Sequence, residues 1–194
     1  MEDTIIARLA AVPWAAALIN DPQWTPTGTS SRKPKASHED SFFAETLATD
    51  RTMRAVLTLR PKEAKNDDLV YWEVKTLVEV GDGINGYPRI AHGGFVATLL
   101  DEVCGILIVL NVEAKAKRMR ELGQAKDAAA MNYFTAYLNI TYRRPVPTPG
   151  VLLCTARIER REGRKVFVYS TVEDGKGTVY TTGEGMFLAT RSKI

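Results

Sequence analysis

Apolar residues are densest between positions 95 and 111, the longest hydrophobic stretch of the chain. Gly105 is the one residue there that disfavours a helix, and the polar members are Thr98, Asp101, Glu102 and Asn111. A helix that is apolar nearly all round is a buried helix. The stretch is too short and too interrupted for an expected membrane span. The pattern therefore predicts one long central helix, which follows a His-Gly-Gly turn and has two acids near its middle.

Strand-like patterns lie on both sides of this helix. Residues 53–59 and 69–80 are rich in Val, Leu and Thr and alternate in part between apolar and polar positions. Four more candidates follow the helix: 135–142, 151–159, 165–172 and 178–188. The breaks between these four are too short for parallel neighbours, which need long crossovers. The expected architecture is α+β, with an antiparallel sheet of about six strands curled around the whole circumference of the central helix.

The N-terminal part of the chain has a different composition. Residues 4–19 show helical periodicity with a break at a proline, and residues 41–50 predict a short helix. Between them, residues 21–40 are rich in Pro, Ser, Thr and Lys, which favours an irregular arm. We therefore treat residues 1–50 as a helical and irregular extension of a main domain at 51–194.

Residues 112–130 are strongly charged, and their composition favours a helix with only a thin apolar stripe. Such runs are usually solvated surface. We expect a charged helical insertion in the main domain, and a lid or partner-binding role is the minority alternative.

The composition narrows the classes of function. A net charge of +3 at pH 7 is too mild to indicate nucleic-acid binding, although it suits an anionic small ligand. Cys104 and Cys154 stand outside any metal-type spacing, and with His38 and His92 as the only histidines no metal site is expected. Two cysteines without an evident signal peptide favour an intracellular, cytoplasmic protein, and the acidic start argues only weakly against a mitochondrial one.

Asp101 most needs an explanation, because a buried charge is costly unless it is paired or used. It suits a nucleophile or a general base that activates water. The alternative is an acid bound to a backbone amide or an arginine, and for Glu102 we prefer an exposed or paired acid. Gly93 and Gly94 give a ligand close access to the N–H groups of a helix N-terminus, as an oxyanion hole requires. They could also serve only a tight strand-to-helix turn.

His92 and Asp101 are nine residues apart, which on an α-helix places them on opposite sides and roughly 13 Å apart along the axis. A His–Asp dyad within one chain is therefore not expected. If both residues serve one site, a second copy of the chain must supply one of them, which favours a dimer with composite sites.

Basic residues cluster at the predicted turns. Ordinary solvated charge is their commoner role, and a phosphate site formed at neighbouring strand ends is the alternative. The residues are Arg143, Arg144, Arg157, Arg160, Arg161, Arg164 and Lys165.

Three segments in order form a more specific pattern: His92-Gly93-Gly94 with Asp101, residues 135–147 and residues 162–168. In these segments the chain resembles the hot-dog-fold acyl-CoA thioesterases. More closely, it is similar to the His-Gly-Gly branch of the thioesterase superfamily, which includes 4-hydroxybenzoyl-CoA thioesterase-like and phenylacetate-pathway-type enzymes. The resemblance implies a helix wrapped by an antiparallel sheet and a homodimer joined edge to edge, with a tetramer as a dimer of dimers left open.

The resemblance also implies roles for single residues. Asp101 would be the nucleophile or general base, Gly93 and Gly94 would polarise the thioester carbonyl, Thr135 would position the water or the acid, and His92 would orient the turn. The positions that match the CoA-binding part of the family are Thr141, Arg143, Arg161, Glu162, Gly163, Arg164, Lys165 and Val166. No metal or separate cofactor is implied, because coenzyme A is part of the substrate.

The implied reaction is hydrolysis of the thioester of an acyl-CoA to a free acid and CoA. Release of an acyl or polyketide chain from a carrier protein uses the same chemistry and stays open. A hot-dog dehydratase or hydratase fits the Gly-Gly turn less well, and a non-catalytic acyl-binding module would not need Asp101. Residues 112–130 make this part of the chain longer than is usual in the family, so the shape of the acyl pocket is the least predictable feature.

Overall fold

Helix α3 (Gly93–Glu121) is the element around which the fold is built. The computed structural model describes residues 2–64, 69–123 and 131–191. The buried side chains of α3, from Val96 to Asn111, cover somewhat more than half of its circumference. The expectation that the sheet covers the whole circumference is therefore wrong, because the side that carries Asp101 and Gly105 faces a cleft.

Seven antiparallel strands form the sheet around this helix. They are β1 (Trp24–Thr27), β2 (Met53–Pro61), β3 (Glu73–Val80), β6 (Met131–Tyr142), β7 (Gly150–Glu162), β8 (Lys165–Glu173) and β9 (Val179–Arg191). Their order in the sheet is β1-β2-β3-β7-β8-β9-β6. A separate short ladder of β4 (Asn85–Tyr87) and β5 (Ile90–Ala91) leads the chain into α3. The predicted hot-dog arrangement of an antiparallel sheet wrapped around a long helix is confirmed.

The sheet is apolar on both faces at β2 and β3, since successive side chains of a strand point to opposite sides. Val56, Val74 and Val78 belong to the inner core that packs on α3. On the outer face, Leu57 and Leu77 pack with helices α1 (Glu2–Ala10) and α2 (Pro13–Ile19). Burial on both faces explains why β2 is nearly continuously apolar instead of alternating.

The N-terminal extension is more ordered than its composition indicates. The prediction of an irregular arm is wrong at Trp24–Thr27, which pairs with β2 as an edge strand of the main sheet. Pro26 has no backbone N–H to donate, and it is tolerated there because an edge strand needs its N–H donors on one side only. The helix predicted at 41–50 is a single helical turn, Phe42–Thr46.

The charged segment after the predicted helix is in part a continuation of that helix. Residues 112–121 belong to α3, and residues 124–130 of the predicted insertion lie outside the described residues. With 29 residues, α3 is long and apolar enough to cross a membrane by length and composition, so the argument from a short stretch does not hold. Because 56% of its most apolar window is buried inside the protein, the same property fits a core helix.

Strand β6 forms the other edge of the sheet. Among the described residues it pairs with β9 on one side only. Large side chains stand exposed along it: Phe134 at 60%, Tyr137 at 42% and Tyr142 at 54%. A long edge of this kind offers unpaired backbone groups and apolar surface to another chain.

Candidate active site

Asp101 and Thr135 meet where the cleft side of α3 faces β6. The Thr135 hydroxyl donates a hydrogen bond of 2.8 Å to Asp101 Oδ1. A register shift in the β6–β9 pairing falls between Thr135 and Tyr137, and such bulges re-aim side chains beside sites. The carboxylate of Asp101 thus has a fixed donor in Thr135. Because Asp101 is only half-buried, its carboxylate also reaches the cleft.

The His-Gly-Gly turn forms the N-terminus of α3. His92 is the N-cap residue, and its Nδ1 accepts a hydrogen bond of 3.0 Å from the Gly94 N–H. This bond places the proton of a neutral imidazole on Nε2. The Tyr142 hydroxyl donates to the Gly93 carbonyl oxygen at 2.8 Å. The Gly94 N–H is occupied by His92, whereas the Gly93 N–H has no hydrogen-bond acceptor among the described residues. Of these two N–H groups, the one on Gly93 is therefore available to a ligand.

The turn and the acid are far apart in one chain. Gly93 and Asp101 are eight residues apart on a continuous helix, which is roughly 12 Å along its axis. The structure therefore brings Asp101 together with Thr135, and it does not bring either of them to His92, Gly93 or Gly94.

The residues predicted to hold CoA fall into two groups. Val166 and Thr135 are both paired to Phe187 of β9, so the β7–β8 hairpin lies at the Asp101 end of the sheet. Thr141 lies six residues further along β6, roughly 20 Å away, next to Tyr142 and therefore at the Gly93 end. Each end of one chain thus has half of the predicted acyl-CoA machinery.

The hairpin itself is held by local contacts. Gly163 takes a positive φ of 58° at the turn, a conformation that glycine adopts without strain. Arg160 Nε lies 2.8 Å from Glu162 Oε1, and Arg160 Cζ lies 3.6 Å from the centroid of the Phe167 ring. Arg161 donates to the Gly163 carbonyl oxygen at 3.1 Å. The exposed cations at the turn, open to a ligand, are Arg164 and Lys165.

Val166 does not fit the predicted role of its side chain. It is 1% exposed and belongs to the core around α3. Since its side chain faces inward, only its backbone is placed to meet a ligand at the hairpin.

Glu102 has a partner that sequence reasoning missed. The Ser31 hydroxyl, from the N-terminal extension, donates to Glu102 Oε1. Burial raises the pKa of the Glu102 carboxyl from its ordinary value of 4.5 to about 7, against the opposing effect of the Ser31 hydrogen bond. We expect an exposed or paired acid at Glu102, and the structure has a half-buried carboxyl that is hydrogen-bonded to a hydroxyl. The two partners are 71 residues apart, and no local pattern in the sequence marks them.

A cleft of about 480 Å³ opens beside these acids, within the size range of small-molecule sites. Asp101, Glu102 and Thr135 line it together with Glu39 of the extension. Beyond Glu102 the helix side of the wall is apolar, with Gly105, Ile108, Val109 and Val112. On the strand side the lining residues are Asn132, Tyr133, Phe134 and Phe187.

No group of three or more His, Cys, Asp or Glu side chains in the described ranges is placed to bind a metal ion. The two cysteines are buried, and burial raises the pKa of the Cys104 thiol to about 12. A thiol that stays protonated is a poor nucleophile and a poor metal ligand. The carboxyl groups of Glu39, Asp101 and Glu102 are therefore the candidates for acid–base or nucleophilic chemistry in this cleft.

The helix, its N-terminal turn and the strands that hold Thr135 and the hairpin coincide with a family match. The model of the thioesterase superfamily matches residues 89–181. This part of the chain is similar to thioesterase-superfamily domains. The match begins just before the His-Gly-Gly turn and contains Asp101, Thr135 and the β7–β8 hairpin.

Curated relatives match somewhat more than half of the chain. Acyl-coenzyme A thioesterase THEM4 of Mus musculus is 30% identical over 114 residues, which are 58% of this chain and 41% of that protein. Verlamelin biosynthesis protein B of Lecanicillium sp is 29% identical over 114 residues, 53% of this chain and 49% of that protein. The chain thus spans less than half the length of these relatives.

Among solved structures, a hypothetical thioesterase from Streptococcus pneumoniae with coenzyme A is 15% identical, with a TM-score of 0.49. The matched region covers 63% of this chain and 82% of the solved chain.

Proposed function

We propose that this protein hydrolyses the thioester of an acyl-CoA to a free acid and CoA. The observation that carries the proposal is the hydrogen bond between Thr135 and Asp101 at the mouth of an apolar cleft. A carboxylate fixed by one donor beside a cleft is placed to act on a bound acyl group. The mouse relative named acyl-coenzyme A thioesterase supports the same substrate class.

Asp101 has two routes to the same products. As a general base it takes a proton from water, whose oxygen attacks the thioester carbon. As a nucleophile its own oxygen attacks and forms a mixed anhydride, which water then opens. On either route the C–S bond breaks, the acyl group leaves as the acid, and the CoA thiolate takes up a proton.

In this proposal the Gly93 N–H donates a hydrogen bond to the developing oxyanion and stabilises it. This donor lies at the positive end of the α3 dipole, where negative charge is stabilised. His92 is a positioning residue here, because it occupies the Gly94 N–H and fixes the turn. Its imidazole is not required to transfer a proton.

The active unit in this proposal is a homodimer. Gly93 and Asp101 of one chain are too far apart to share a carbonyl, and β6 is an exposed edge with apolar side chains. Edge-to-edge pairing of β6 from two copies would bring the turn of one chain toward the acid of its partner. Each dimer would then have two composite sites.

Asp101→Asn tests the chemistry. The amide keeps the size of the side chain and removes its basicity, so we expect hydrolysis to fall by about 10²–10⁴-fold. Free-thiol release from a panel of acyl-CoAs measures it, and Glu113→Gln, an exposed acid on the same helix, is the matched control. Full activity of Asp101→Asn would refute the mechanism.

Two additions extend this test. After a single turnover in isotope-labelled water, label in Asp101 identifies the nucleophile route, in which water has opened the anhydride at the Asp101 carbonyl. Acyl groups loaded on an acyl carrier protein, assayed beside the same groups on CoA, decide which carrier the enzyme uses. Preference for the carrier protein would replace CoA in the proposal and leave the role of Asp101 unchanged.

A further inference from the structure

Gly105 lies on the cleft side of α3, one helical turn beyond Asp101. Glycine is unfavourable in a helix interior, so its presence needs a reason. Close packing within the described part of the chain is not the reason, because a Cβ built at Gly105 meets no heavy atom of these residues within 4 Å. The missing side chain leaves open space in the cleft.

The open space continues along one face of the helix. Asp101, Gly105, Ile108 and Val112 fall within a narrow stripe at 100° per residue. From Asp101 to Val112 this stripe is roughly 16 Å long. The same cleft touches all four residues, so it runs from the reacting acid toward the C-terminal half of α3.

The polarity of the cleft changes along this path. On the helix wall its acids, Asp101 and Glu102, precede Gly105, and the wall beyond Gly105 is formed by Ile108, Val109 and Val112. The facing strand adds Tyr133 and Phe134 and one polar amide, Asn132. A mostly apolar channel that leads away from the reacting carboxylate suits a flexible hydrocarbon chain. A compact ring would leave most of its length empty.

We infer that Gly105 determines specificity for the acyl group, because its bare backbone admits an extended aliphatic chain past Asp101. This inference rests on the proposed thioester hydrolysis at Asp101. The substrate class is then a straight-chain acyl thioester of medium or greater length. For such a series kcat/KM rises by up to roughly fourfold for each early methylene that the channel buries.

A side chain at Gly105 should close the channel without disturbing the acid. We expect Gly105→Leu to lower kcat/KM for octanoyl-CoA and dodecanoyl-CoA by roughly tenfold or more, while acetyl-CoA hydrolysis changes by less than about threefold. Gly105→Ala controls for the backbone change, and both variants should keep or raise the Tm, since glycine is the poorer helix former. Gly150→Leu is the matched control, because an added Cβ there also meets nothing and Gly150 lies outside the cleft.

Binding of dodecanoate, measured by calorimetry, separates this inference from the proposed reaction. If no thioester is hydrolysed but the wild type binds dodecanoate and Gly105→Leu does not, the proposed reaction fails and the channel stands. If hydrolysis is observed and Gly105→Leu lowers acetyl-CoA and dodecanoyl-CoA turnover equally, the channel assignment is overturned and the reaction stands. The same holds if the variant lowers the turnover of neither substrate.

Discussion

Glu102 and Asp101 are adjacent acids with different surroundings. Thr135 holds Asp101 at the mouth of the cleft, whereas Ser31 covers Glu102 from the N-terminal extension. Burial is the main cause of the raised pKa of Glu102, and the neighbouring charges of Asp40 and Asp101 raise it further, while Arg32 lowers it. The Glu102 carboxyl is thus protonated over part of the range near neutral pH.

The raised pKa of Glu102 predicts a pH dependence of stability. A folded-state pKa of about 7, above the ordinary 4.5, means that the folded protein holds this proton more tightly. The resulting stability is fully present below about pH 4.5 and is lost as the pH rises to about 7, with a limit of roughly 3 kcal/mol. Glu102→Gln cannot ionise, so its stability should fall less between about pH 5 and about pH 8. Urea unfolding of both proteins at the two pH values measures this difference, and parallel losses would show that another group is responsible.

The N-terminal helices act at the scale of elements. Leu9 of α1 is fully buried against the outer face of the sheet, in a cluster separate from the core around α3. That cluster contributes no residue to the cleft beside Asp101. The helices therefore stabilise the sheet from its far side, and their contribution can be separated from catalysis.

Leu9→Ala should lower the free energy of unfolding by about 2–5 kcal/mol, because it leaves a cavity in a well-packed cluster. The kcat and KM of the remaining folded enzyme should stay unchanged. Leu122→Ala is the control, since Leu122 is 64% exposed and its truncation should have little effect. Denaturant unfolding together with steady-state kinetics checks both parts. A change in kcat with Leu9→Ala would mean that α1 reaches the site by a route other than packing.

The elements differ in how well the sequence predicts them. Helix α3 is predictable because its apolar stretch is long and begins at a turn with a capping histidine. Strand β1 is missed because four residues with a proline have no alternation to detect, and its place depends on pairing with β2. Helix is also expected after Asn111, but as a separate charged insertion, because the charged residues there leave the core while the same helix continues to Glu121.

Contacts between distant segments explain the rest of what the sequence cannot show. The pairing of Asp101 with Thr135 is expected from the resemblance, but the bond and the bulge that aims Thr135 are seen only in the fold. The Ser31–Glu102 contact and the length of the cleft arise from chain segments that no periodicity connects.

At the scale of the whole molecule, the proposed mechanism divides one reaction between the two ends of α3. The Gly93 end has the available N–H, Tyr142 and Thr141, and the Asp101 end has the acid, Thr135 and the cationic hairpin. An eight-residue separation on a rigid helix cannot be closed by side-chain movement. In the proposed mechanism a single chain would therefore complete the reaction at neither end.

Mixing two inactive variants tests this division. Gly93→Pro removes the N–H donor at the first position of α3, where proline is well tolerated, and His92 already has the extended backbone that precedes a proline. Asp101→Asn removes the base, so each variant alone should be inactive. In a mixed dimer with composite sites, one site has both changes and the other has neither. Random reassortment of the two variants should therefore restore about a quarter of the wild-type activity.

The control is a mixture of Asp101→Asn with Asp101→Ala, which should restore nothing, because every composite site in any of its dimers lacks the acid. Native mass spectrometry reports how much mixed dimer has formed, so the regained activity can be compared with the number of mixed dimers. Abundant mixed dimer without activity would place Gly93 and Asp101 of the same chain in one site. It would then require a bend of α3 that the uninterrupted helix from Gly93 to Glu121 does not show.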